Sequence, residues 1–220
     1  MATRNSHISN TYDGIAESWY HLRHRTRFEP ELKSLAERWG QGRLLNVGCA
    51  HGPDFLPFVG RFETWGLDSS LPMIRMAVKY AQKYSFKPNL LVADAVQLPF
   101  SNGVFDYVVA VASYHHIPGG QNREQAFQEL RRVLKPGGEA FITVWNRWQR
   151  DFLGKGREVR VPWKTREKEI LRYYYLFTYF EIGAALRQAG FKVLAARPEN
   201  GDRLPLKYFS RNICVLVKRD

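Results

Sequence analysis

The chain has 220 residues, 45% hydrophobic and 25% charged, a balance that suits one globular domain and is too apolar for a disordered segment. Its 33 Lys and Arg against 21 Asp and Glu leave a formal charge of +12, which favours a polyanionic partner such as nucleic acid, because each cation that meets a phosphate releases a counterion. The two cysteines, Cys49 and Cys214, give neither a disulfide framework nor a metal-ligand spacing, no stretch approaches the ~20 apolar residues of a membrane span, and the first residues lack a secretory signal's apolar core. A cytoplasmic protein without metal or membrane is the expectation.

In chain order, residues 1–28 carry a short aromatic helix candidate at 10–20. A helix is predicted over 29–39, where Leu32, Leu35, Ala36 and Trp39 share one face. Strands are predicted at 43–47, 63–67, 89–93, 107–112 and 140–145, all short and mostly apolar, as for a parallel sheet covered on both faces. Helices at 71–84, 123–134 and 179–189 alternate with them, and Gly190 is placed to end the last. Strands at 191–195 and 213–217 follow, and the link between them is too short for a crossover helix, which makes the final strand antiparallel. The whole reads as a single α/β domain over 1–220. An amino-terminal cap (1–28) and a basic, aromatic insertion (146–177) stand at its edges and are placed to cover a site.

The segment 43–52 (RLLNVGCAHG) is a buried strand running into a loop of small residues, at the sheet edge where α/β proteins bind ligands. Gly48 permits a tight turn, and Ala50 and Gly52 leave room for a ligand. Asp68 ends the second predicted strand, where a carboxylate can accept ribose hydroxyls, and Asp94 ends the third, where an acidic side chain can face an adenine amino group. LKPGG at 134–138 turns into the fifth strand. The dinucleotide pattern Gly-x-Gly-x-x-Gly is absent, which argues against a NAD enzyme.

With this series of motifs, residues 40–145 resemble the class I S-adenosylmethionine (SAM)-dependent methyltransferases. The resemblance implies a Rossmann-like seven-stranded, mostly parallel sheet with one antiparallel strand, SAM as cofactor, and a cofactor site of Gly48, Cys49, Ala50, Gly52, Asp68, Ser69, Asp94 and Ala95. Asn46 and Ala50 stand where that family usually has an acidic residue and a second glycine.

Four further segments are similar to the family that methylates 5-carboxymethyluridine at the tRNA wobble position. They are 12–23 (YDGIAESWYHLR), 112–117 (ASYHHI), 145–149 (WNRWQ) with 161–163 (VPW), and 172–176 (RYYYL) followed by Glu181. The Pro-Trp-Pro that follows Arg23 in that family is replaced by 25–30 (RTRFEP). The resemblance implies methyl esterification of a carboxymethyl group. A carboxylate is already ionised at neutral pH, so it needs orientation rather than a general base. Arg23, Arg172 and His115 are the candidates for that task, with one of His115 and His116 facing the pocket.

Trp19, Trp145, Trp163 and Tyr173, with Tyr20 and Tyr174, supply rings to stack an extruded base. Arg147, Arg150, Lys155, Arg157, Arg160, Lys164, Arg166 and Lys168 are placed to track the phosphates of an anticodon stem-loop. The resemblance also implies a small zinc-binding activator protein as a heterodimer partner. A methyltransferase for a small molecule, of quinone or amine type, is the alternative.

Overall fold

The computed structural model describes residues 11–165, 169–199 and 207–220. In chain order the strands are β1 (Gly42–Val47), β2 (Phe62–Asp68), β3 (Asn89–Val92), β4 (Phe105–Val111), β5 (Leu134–Trp145), β6 (Glu158–Lys164), β7 (Glu169–Tyr175), β8 (Phe191–Pro198) and β9 (Asn212–Arg219). Seven of them form one sheet in the order β3-β2-β1-β4-β5-β9-β8, and β6 pairs with β7 in a separate hairpin. Within the large sheet β9 alone runs antiparallel, to β5 on one side and β8 on the other. This is the mostly parallel α/β sheet that the sequence implies.

The helices are α1 (Ala16–Leu22), α2 (Glu29–Trp39), α3 (Leu71–Lys83), α4 (Gly120–Val133) and α5 (Tyr179–Gln188). Side chains alternate across a strand, so β1 feeds both layers. Leu45 and Val47 pack with Phe127 and Leu130 of α4 and Ile182 and Leu186 of α5. Leu44 packs on the other face with Leu32, Leu35, Ala36 and Trp39 of α2. The polar edge of α2 is tied down as well, since Arg38 and the Trp39 indole N–H both donate to Glu139 on β5.

Two elements differ from the sequence reading. Over the described part of the predicted 10–20 helix, a turn at 14–15, containing Gly14, separates a helical stretch at 11–13 from α1, which begins at Ala16; residue 10 lies outside the described residues. The insertion contains the β6–β7 hairpin, where the sequence reading places no strands. Its inner face carries Trp163, Arg172 and Tyr174, all buried, while the alternate positions face outward. Among the described residues no helix is long and apolar enough to cross a membrane.

Candidate active site

The carboxyl ends of β1 to β5 open into a cavity of about 230 Å³, covered by residues of the 12–28 segment, by Arg172 and Tyr174 of the hairpin, and by Arg211. Strand order reverses beside β1, so the loops after β1 and β4 diverge and leave a crevice there.

One half of the cavity suits a nucleoside. Gly48 has φ 72°, and a Cβ on it would lie 2.4 Å from the Ser113 Cβ, so only glycine lets the β1 loop pass the end of β4. Ala50 also adopts a left-handed φ of 47°, and its N–H donates to Asp68 Oδ2 at 3.0 Å. The Ser70 N–H donates to Asp68 Oδ1 at 3.0 Å. Both carboxylate oxygens are thus fixed in the cavity wall. Burial raises the Asp68 carboxyl to about 6 despite these bonds. Asp94 lines the cavity from the end of β3 and accepts the Val96 N–H. Asn46 is fully buried with both side-chain polar atoms unpartnered among the described residues, as is the Ser113 hydroxyl.

The other half is aromatic and cationic. His116 Nδ1–H donates to the Tyr173 carbonyl at 2.8 Å, since a carbonyl only accepts. Its Nε2 therefore accepts the Tyr12 hydroxyl, also at 2.8 Å. His115 has the opposite tautomer: Nδ1 accepts the Trp145 backbone N–H, leaving an Nε2–H that is buried without a partner among the described residues. Burial lowers both imidazoles, His116 to about 3, so both are neutral at neutral pH. Both rings line the cavity, but only His115 has an uncommitted nitrogen.

Arg172 is 6% exposed, and its guanidinium lies 4.9 Å from the Trp163 ring centroid, 5.3 Å from Tyr174 and 5.8 Å from Trp19. Among the described residues no carboxylate forms an ion pair with it, and its Nε is buried without a partner. Arg23 lines the same cavity, and burial, then Arg27, Arg211 and Arg172, push its guanidinium down from its usual range. Arg23, Arg172 and Arg211 thus concentrate positive charge here, and among the described residues none of them forms an ion pair with a carboxylate.

Of the residues singled out from sequence, Gly48, Cys49, Ala50, Asp68, Ser69, Asp94, Ala95, Arg23, Trp19, His115, Trp145 and Arg172 line the cavity. Gly52 does not; at φ 92° it starts the turn at Pro53–Phe58. Trp163 sits behind the wall, 5.0 Å from Trp19. The Tyr173 ring points away and its hydroxyl accepts from Arg123. Trp145 and Tyr174 stack on each other at 3.9 Å, so their faces are engaged within the protein. Arg166 and Lys168 lie outside the described residues. Tyr12, His51 and Arg211 are absent from the sequence-based candidates; His51 lies within the 43–52 loop itself, whereas Tyr12 and Arg211 reach the cavity from segments distant in sequence. His51 Nε2–H donates to the Arg23 carbonyl, and Arg211 lies 5.0 Å over Trp145.

Residues 45–142 match the family described as a methyltransferase domain. The chain is 33% identical over 148 residues to the tRNA (carboxymethyluridine(34)-5-O)-methyltransferase of Arabidopsis thaliana, covering 66% of this chain and 34% of that protein. It is 31% identical to an Encephalitozoon cuniculi protein named as a methyltransferase, covering 69% of this chain and 70% of that one. Its fold matches a SAM-dependent methyltransferase from Clostridium acetobutylicum with a TM-score of 0.73 and 14% identity, over 99% of each chain. The chain spans about a third of the length of the first curated relatives it matches.

Proposed function

Because the chain belongs to the class I SAM-dependent methyltransferases, we propose that it esterifies the carboxymethyl group of a wobble uridine in tRNA. The observation that carries the reading is Arg172: a buried guanidinium in the cavity wall, surrounded by rings and lacking a carboxylate partner among the described residues. A buried cation is costly unless an anion meets it, and a substrate carboxylate supplies that anion.

SAM, when bound, supplies an electrophilic methyl group. Gly48, Ala50, Asp68 and Asp94 are the residues that would hold it, and the fixed Asp68 carboxylate and the close approach at Gly48 fit a ribose-bearing molecule. Arg172, aided by Arg23, holds one oxygen of the substrate carboxylate and leaves the other to react. His115 Nε2–H offers a further donor. Neutral His115 and His116, with pKa values pushed far below neutrality, are poor general bases, which suits a nucleophile that is already ionised. A zinc-binding activator subunit belongs to the proposal on the resemblance alone; an isolated chain that is monodisperse and fully active overturns that part.

The test is methylation of bulk tRNA with SAM, read as nucleosides by mass spectrometry, for the wild type and Arg172→Met. A new methyl ester on wobble uridine is expected, reduced about 100-fold in Arg172→Met with unchanged SAM affinity. Intact SAM binding without RNA methylation, with or without an activator, overturns the reading in favour of a small-molecule acceptor.

A further inference from the structure

The rings closest to the cavity are occupied by each other, yet a second set is open to solvent on the segments that carry the cavity-lining Trp145 and Arg211. Trp148 is 44% exposed, Tyr208 59% and Phe209 51%. Asn146, fully buried after the end of β5, holds these segments together. Its Nδ2 donates to the Tyr208 carbonyl at 2.7 Å and the Ser210 carbonyl at 2.9 Å, and its Oδ1 accepts the Trp148 N–H at 3.1 Å. The next residue after this segment, Arg211, lines the cavity. Asn146 thus brings the backbones that carry these exposed rings together, and clustered exposed aromatics are the kind of surface a partner binds.

The charge around it selects the partner. The Arg147 guanidinium lies 5.5 Å over the Trp148 ring, Arg211 lines the cavity, and Arg150 is exposed on the turn that follows. Open rings beside guanidinium groups match unpaired nucleotides, whose bases stack while their phosphates meet the cations. We infer that Trp148, Tyr208 and Phe209 form a platform for the unpaired loop nucleotides that flank the target base. This rests on the proposed RNA substrate and adds where its neighbours sit.

The experiment measures binding of a fluorescent anticodon stem-loop and of SAM to the wild type, Trp148→Ala/Tyr208→Ala, and Trp148→Phe/Tyr208→Phe. The alanine pair is expected to weaken RNA binding about tenfold per ring, with SAM affinity, melting temperature and the salt slope unchanged; the phenylalanine pair retains most binding. Wild-type RNA affinity in the alanine pair overturns the platform. The same result with loss of self-association marks a protein-facing surface and overturns it too. A wild type that binds no RNA removes the underlying reading itself.

Discussion

At the residue scale, Asp68 sets a pH dependence. Its carboxyl sits at about 6, and in the proposed role of accepting two ribose hydroxyls it must be ionised. Above that pH it is already ionised, so affinity for SAM is flat; below it, each unit of acidification leaves about a tenth of the ionised form. Calorimetry from about pH 5 to pH 8 is expected to show the dissociation constant rising about tenfold per unit below about 6. Asp68→Asn binds more weakly and loses that slope; an unchanged slope removes Asp68 from the cofactor site. Ala50 is a second case. A left-handed alanine costs about 1–2 kcal/mol, whereas glycine there loses about 0.4–1 kcal/mol through a freer unfolded chain. Ala50→Gly is therefore expected to gain about 0.5–1 kcal/mol in denaturant unfolding.

At the element scale, α5 begins with a capping box in which Thr178 accepts the Glu181 N–H and Glu181 accepts the Thr178 N–H. Arg157, just before the hairpin, also pairs with Glu181. Thr178→Ala is expected to cost about 1 kcal/mol of stability by chemical unfolding, whereas Arg157→Ala, whose side chain is half exposed, changes it little. The sheet was legible because its apolar runs are covered on both faces, and LLNV of β1 is buried throughout. The hairpin was not, because charged residues alternate with Val159, Val161 and Trp163, and the pattern reads as a solvated charge run. Alternation at period two was the available signal. Asp68 and Asp94 were legible from their places at strand ends. Arg211 was not, since it reaches the cavity from a segment far away in sequence; His51 lies in the recognised loop, but its bond to the Arg23 carbonyl is set by the fold.

At the scale of the whole molecule, the +12 charge predicts that the proposed RNA binding depends on salt. If about six phosphates are met, binding of the anticodon stem-loop should fall about 10³-fold between about 50 and 200 mM salt, measured by anisotropy. A flat response would separate the charge from RNA recognition. The antiparallel β9 has a different bearing on the molecule's history. It lies between β5 and β8, and Arg219 at its end donates to the carbonyls of Arg131, Arg132 and Leu134. During synthesis on the ribosome, β8 and α5 emerge before the strand that joins them to the rest of the sheet. The nascent chain therefore holds an unzipped seam along β5 until residues 212–219 arrive, an unpaired edge of the kind that is prone to aggregate.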